Sequence, residues 1–389
     1  MASFNITSPT TIARSLSGTE VGVVGRFGAI QTISGPPVMM ADNASLLVEG
    51  AISTIGNNAI NGGDIVNGSL LISQTGSVTA ARNAVFLPNV IFMGNALRID
   101  FTNAGQVTGN AIGASLSLGA MGVDLEVVNS GTMASWSTGY ALLASLSGRI
   151  QFTNSGLVES AESGLFFNGN LDDRTQIENS GTISGVNFSI EGFTSGADVT
   201  NSGTLNGDVR LGSSNDLFNS RYGTVNGQIT MQGGDDTVRG SVLGDDVLAG
   251  ADDDFVMGFN GDDTILGEAG SDTIYGNAGD DVINGGGKSD RLTGGKGNDT
   301  MTGGGGSDTF VFRRVANGDD EITDFQNGSD VIDLSALGLQ NFNALKNGAN
   351  ALSNDTDAVV IDLAAAGGSG SVRVIGVQVA DMDAGDFIF

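Results

Sequence analysis

Along the second half of this chain an aspartate returns at every ninth residue: Asp236, Asp245, Asp254, Asp263, Asp272, Asp281, Asp290, Asp299 and Asp308. Two places after each stands an apolar side chain, namely Val238, Val247, Val256, Ile265, Ile274, Ile283, Leu292, Met301 and Phe310. Glycines crowd the positions before the aspartate, as in GNAGDDVIN, GGKGNDTMT and GGGGSDTFV. The unit is GGxGxDxUx, where U is a large apolar residue. A strict short period marks a solenoid, in which each unit buries its apolar face only against its neighbours. The glycine-rich half makes a tight turn, and x-U-x is a short strand that points U inward. Two nonapeptides close one coil, so alternate aspartates stack. One edge then carries Asp236, Asp254, Asp272, Asp290 and Asp308; the other carries Asp245, Asp263, Asp281 and Asp299.

Stacked carboxylates facing turn carbonyls suit Ca²⁺, a hard cation that takes six to eight oxygens at about 2.3–2.6 Å. The expected ligand set is those nine aspartates with Gly261, Gly270, Gly279, Gly297 and Gly306, the glycines two places before the aspartate. Coils about 4.8 Å apart set neighbouring charges to repel by about 0.9 kcal/mol in water, and by about 3.5 at an effective dielectric of 20. Over seven neighbouring pairs the repulsion totals roughly 6 to 24 kcal/mol, against a usual domain stability of about 5–15. Metal binding should therefore drive folding, with up to about seven ions.

Over 231–310 these residues resemble the RTX, or hemolysin-type calcium-binding, repeat family. The resemblance implies a parallel β-roll. Leu243, Asp252 and Lys288 stand where the motif has glycine two places before the aspartate. The strongest sites are thus expected at Asp263, Asp272, Asp281, Asp299 and Asp308, and weaker ones at Asp236, Asp245 and Asp254.

The first half repeats on a longer period. An Asn-x-Gly turn followed by an apolar residue recurs at Asn103, Asn129, Asn154, Asn179 and Asn201, between alternating runs such as LRIDFTN, DLEVVN and RIQFTN. Such runs read as strands. Steps of 22 to 26 residues are long for hairpins, although an antiparallel sandwich with Asn-Gly turns is the alternative. The expected fold is all-β: a parallel β-helix over 42–230 continuing into the roll at 231–311, closed by a β cap at 312–389. The β-helix half resembles adhesin and autotransporter-passenger solenoids of secreted bacterial proteins. Residues 1–41 show no repeat and read as a cap or an assembly arm.

The segment FVFRRVANGDDEITDFQNGSDVIDLSALG, beginning at Phe310, resembles the end of serralysin-type RTX proteins, which implies a β-sandwich cap. The tail VQVADMDAGDFIF resembles an uncleaved type I secretion signal, and Phe387–Phe389 also suits a final strand. The start, MASFNITSPTTIARSLSG, has neither the basic opening nor the apolar core of a classical signal peptide.

Composition narrows function further. The net charge is −28; residues 1–210 carry 15 acids and 7 bases, and residues 211–389 carry 29 and 9. A nucleic-acid partner would need a basic footprint, which is lacking. No apolar run reaches the roughly 20 residues of a spanning helix, so membrane insertion is not expected. The chain has neither His nor Cys, which removes the HExxH zinc helix, imidazole bases and thiol nucleophiles. Carboxylate chemistry of a polysaccharide lyase or epimerase would fall to Glu159, Glu162, Asp172, Asp173, Arg174 and Glu178, with Trp136 or Tyr140 stacking on sugar. Acidic loop pairs are more often solvated, and no enzyme is expected. The expected protein is extracellular, binds calcium and self-associates into a surface layer, filament or matrix. Its alternative is an adhesin for a cell-surface glycan or lipopolysaccharide.

Overall fold

A computed structural model describes every residue except 1, 11–13, 17–20, 25, 27–28, 33–37, 41–43, 55–58, 63–67, 73, 75, 81–82, 88–96, 110–111, 122, 138, 148, 169–173, 193–195, 314–317 and 349–350. Contacts divide the chain into two compact units, Met1–Ser213 and Ser214–Phe389.

The first unit is a parallel β-solenoid. One face stacks the strands Ala2–Ile6, Val21–Val24, Ala44–Val48, Gly68–Ile72, Leu97–Asn103, Val123–Asn129, Ile150–Asn154, Thr175–Asn179 and Ala197–Asn201, each pairing in parallel with the next. Two further runs of strands complete each coil, for example Thr132–Ser135 and Tyr140–Ser147. The antiparallel sandwich is thereby excluded for the described strands of this unit. The coils also reach into residues 1–41, where the sequence shows no repeat.

The strand ends explain both the repeat and its absence. Asn103, Asn129, Asn154, Asn179 and Asn201 occupy one column at the ends of successive strands, each at most 2 % exposed. The Nδ2 of each rung donates to Oδ1 of the next at 2.7 to 2.8 Å. A carboxamide has both a donor and an acceptor, so this buried column satisfies itself. In the earlier coils the same register holds Ile6, Val24, Val48 and Ile72, all buried. Those coils stack on aliphatic contact instead and carry no Asn-x-Gly signal.

Replacing one rung tests this reading. Asn154→Asp deletes the donor to Asn179 and places a charge where no solvent reaches. The expected cost is about 3–5 kcal/mol, measured by urea unfolding followed by circular dichroism. Asn154→Ala should cost less, about 1–3 kcal/mol.

The second unit is a two-sided parallel roll. One side stacks Leu217–Asn219, Thr237–Arg239, Phe255–Asn260, Thr273–Ala278, Arg291–Lys296, Thr309–Val311 and Val331–Asp333. The other stacks Gln228–Thr230, Asp246–Ala251, Thr264–Ala269, Val282–Gly287, Thr300–Gly305 and Asp319–Ile322. The apolar residue of every repeat is fully buried. Strands of the roll therefore precede 231 and follow 311.

At the end, Leu352–Asn354, Ala358–Asp362 and Ser371–Ile375 form an antiparallel meander, and the last of these pairs in parallel with Asp319–Ile322. The cap thus extends one of the roll's own sheets, covering an edge that would otherwise present unpaired backbone groups. It is not a separate sandwich.

Candidate metal centre

Each edge of the roll carries a column of aspartates that run against the backbone. The N–H of Asp236 donates to Oδ1 of Asp254 at 2.8 Å, and the same bond recurs from Asp254 to Asp272, Asp272 to Asp290 and Asp290 to Asp308. On the other edge it links Asp245 to Asp263, Asp263 to Asp281 and Asp281 to Asp299 at 2.8 to 3.0 Å. The two columns expected from the spacing are thus both present.

The columns extend beyond the nine. The N–H of Asp216 donates to Asp236, that of Asp299 to Asp320 and that of Asp308 to Asp330, at 2.6 to 3.0 Å. Sequence reasoning missed these rungs because the steps widen to 20, 21 and 22 residues. The aspartate-x-apolar signature survives at Asp216–Phe218, Asp320–Ile322 and Asp330–Ile332, and would have located them.

One oxygen of each rung is spent on a backbone N–H; the other decides the chemistry. All nine predicted aspartates are at most 4 % exposed, and each keeps one buried oxygen with no hydrogen-bond partner. For eight of them it is Oδ2. In Asp245 it is Oδ1, because Oδ2 accepts from Ser241 N–H at 2.6 Å. A buried carboxylate oxygen without a partner is costly, and nine in register call for a cation.

The glycine five places before the aspartate supplies the space. A Cβ at Gly258, Gly267, Gly276, Gly285, Gly294 or Gly303 would overlap the partnerless oxygen of Asp263, Asp272, Asp281, Asp290, Asp299 or Asp308 respectively. At Gly276 it would also lie 2.8 Å from the carbonyl oxygen of Gly294 in the next coil. At Gly258, Gly267 and Gly276 a carboxylate oxygen and a carbonyl oxygen thus flank the same cradle. The described residues contain no group of three or more His, Cys, Asp or Glu side chains placed to hold a metal; the further oxygen donors beside these carboxylates are backbone carbonyls such as that of Gly294. An all-oxygen donor set of this kind fits calcium.

The glycines expected as ligands have a packing role. A Cβ at Gly261, Gly270, Gly279, Gly297 or Gly306 would strike the backbone of the preceding coil, so these positions set how closely the coils stack. Gly279 and Gly306, at φ of 143° and 148°, hold a conformation that other residues rarely reach. Asp252 and Lys288 take the left-handed region instead, at 78° and 75°, which keeps their turns in register. Lys288 also approaches Asp253 at 3.6 Å.

Burial, more than repulsion, raises these carboxyls. It pushes Asp236 up to about 9 and Asp263 to about 8. Asp254, Asp281, Asp290 and Asp320 rise to about 7, and Asp272 and Asp299 to about 6. The backbone N–H bond opposes the rise in each, and where neighbouring carboxylates add to it their effect is smaller than that of burial. The account from charge repulsion alone therefore named the lesser cause.

The sign for stability follows. A carboxyl raised on folding binds its proton more tightly in the folded state, so its contribution is complete below about pH 4 and is lost as pH rises through about 6 to 9. Without metal, the roll should gain β-structure between pH 8 and pH 5, read by circular dichroism in EDTA. With metal the order reverses: protons compete, the calcium midpoint rises on acidification, and calcium uptake at pH 7 releases protons.

The other candidate residues are scattered. Arg174 pairs with Asp198, and Asp172 and Asp173 lie outside the described residues. Glu159 and Glu178 sit on strands of different faces. Tyr140 packs its ring 4.5 Å from Phe166, while Trp136 is 59 % exposed.

Comparison with known proteins agrees with the ladder. A family model described as the RTX calcium-binding nonapeptide repeat (four copies) matches residues 239–274, 257–290 and 275–310. The solution structure of the AlgE6R3 subunit of the Azotobacter vinelandii mannuronan C5-epimerase is 32 % identical, covers 36 % of this chain and 79 % of its own, and has a TM-score of 0.17. The extracellular lipase LipA of Serratia marcescens is 15 % identical over 56 % of this chain and 45 % of its own, with a TM-score of 0.23. Neither TM-score supports a whole-chain superposition, and no curated protein matches the sequence. Residues 239–310 of the chain are thus RTX calcium-binding nonapeptide repeats, and they are the coils that carry most of the carboxylate columns.

Proposed function

We propose that this protein is a secreted structural component whose roll closes only when calcium fills its aspartate columns, and which then self-associates into a surface layer, filament or extracellular matrix. The observation that carries the reading is the register of partnerless carboxylate oxygens against bare glycine backbone. Where calcium is scarce, the roll stays open and threadable, consistent with export of an unfolded chain through a C-terminal signal. Outside, up to about seven ions would offset about half of the −28 net charge and remove much of the repulsion between copies. Negative-stain microscopy with and without millimolar calcium tests assembly: ordered multimers should appear only with calcium, and a monodisperse monomer in both conditions contradicts it.

The adhesin reading draws on a different feature. A surface pocket of about 80 Å³, lined by Asp124, Leu125, Glu126, Arg149 and Gln151, offers mixed charge and amide groups to a polar ligand such as a glycan. That reading predicts saturable glycan or lipopolysaccharide binding that Arg149→Ala weakens. Catalysis is not expected, and turnover of uronate polysaccharides would overturn that expectation.

A further inference from the structure

The columns of carboxylates are longer than the series of cradles beside them. Parallel pairing puts Met231, Ala249, Gly267, Gly285 and Gly303 in one register, each five places before a rung: Asp236, Asp254, Asp272, Asp290 and Asp308. At Gly267 a Cβ would lie 2.4 Å from Oδ2 of Asp272 and 2.3 Å from the Gly285 carbonyl oxygen. Ala249 carries that Cβ and Met231 a whole side chain, and both are fully buried. The first two of these rungs therefore meet hydrocarbon where the next three meet bare glycine backbone. A carboxyl set against hydrocarbon favours its neutral form, which needs no cation.

The other edge is closed by a different device. Gly240 is a glycine, but the Asp245 oxygen that faces it, Oδ2, accepts from Ser241 N–H at 2.6 Å. The same bond recurs at the far end of the roll, where Oδ2 of Asp330 accepts from Gln326 N–H at 2.7 Å while its Oδ1 accepts from Asp308 N–H. In both cases the donor stands four residues before the aspartate and takes an oxygen that a cation would otherwise use. Beyond Gly294 the next residue in register is Phe312, which is buried. Beyond Gly303 it is Asp324, whose two oxygens accept from Gly303 and Gly304 N–H at 2.8 Å. Among the described residues, a glycine cradle and a partnerless oxygen facing it meet at Asp263, Asp272, Asp281, Asp290, Asp299 and Asp308.

We infer that calcium occupies only these six rungs, and that Asp236, Asp245, Asp254 and Asp330 are metal-free end rungs that bound the ion series on both sides. The inference rests on the calcium binding proposed above and narrows it to named sites. A side chain in the cradle excludes an ion that needs about 2.3–2.6 Å to each oxygen, and its packing supplies the contact between coils instead. Asp290 stays in the series although Lys288 breaks its motif, because Gly285 keeps the cradle open.

Equilibrium dialysis of the full chain against calcium tests this, with atomic absorption to count bound ions and circular dichroism of the same samples. Added sodium chloride screens loose binding at exposed acids. The parent should take up six ions, the number of open cradles. Gly267→Ala should take up one fewer, because its Cβ plugs the cradle of Asp272. Ala249→Gly should take up one more, because it opens the cradle of Asp254 without touching a carboxylate. More than six ions in the parent overturns the inference and leaves calcium binding intact. So does an unchanged count in either variant while its spectrum responds to calcium as the parent's does. No bound ion in the parent overturns the calcium reading as well.

Discussion

Asp281→Asn should shift the stability of the roll in opposite directions with and without calcium. In calcium the variant loses a carboxylate ligand. If the ion is held at a hundredfold its dissociation constant, its loss removes about 2.7 kcal/mol. In EDTA at pH 8 the sign reverses, because a neutral amide replaces a buried carboxylate whose charged form is disfavoured by burial. The gain should be about 1–2 kcal/mol after solvent screening. The amide keeps the acceptor for Asp263 N–H and adds a donor on the side where the Gly294 carbonyl lies. The asparagine column of the first unit already shows such a stack satisfying itself. Calcium titrations followed by circular dichroism, with urea melts at either end, measure both signs. Destabilisation in both conditions would mean that Asp281 is structural for some reason other than metal.

Gly276→Val should be the most damaging single change to the metal column. Gly276 does not use positive φ, so the backbone accepts a side chain and strain does not confuse the result. The added atoms occupy the cradle between the free Asp281 oxygen and the Gly294 carbonyl. Overpacking costs about 1–3 kcal/mol, and losing the ion adds about 2.7. Isothermal titration should count at least one fewer ion. Gly305→Ala is the control, because a Cβ there meets nothing within 4 Å; it should stay within about 0.5 kcal/mol of the parent. Equal damage from the two substitutions would remove the cradle from the account.

Much of this architecture was legible because period and chemistry coincide. The nine-residue aspartate spacing placed both columns, and the Asn-x-Gly turns placed coils whose asparagines interlock. Where the period or the chemistry changed, legibility ended. Asp216, Asp320 and Asp330 fell outside the nonapeptide step although the aspartate-x-apolar signature persists. The first coils use Ile6, Val24, Val48 and Ile72 where later ones use asparagine, and buried aliphatic residues leave no turn motif. The glycine five places before each of the six aspartates from Asp263 to Asp308 looked like ordinary turn composition, since only coordinates show the oxygen it faces. Repulsion was estimated from spacing alone, whereas the larger influence, burial, depends on how the coils pack.

Hydrogen–deuterium exchange on the full chain, in EDTA and in calcium at pH 8, tests the central claim most directly. The amides of Asp254, Asp263, Asp272, Asp281 and Asp290 each donate to the next rung and should exchange freely in EDTA and slowly in calcium. Amides beside the asparagine column, such as Gly156 N–H donating to Asn154, should be protected in both. Equal protection of the aspartate rungs in EDTA would show that the roll closes without metal, and would contradict the account.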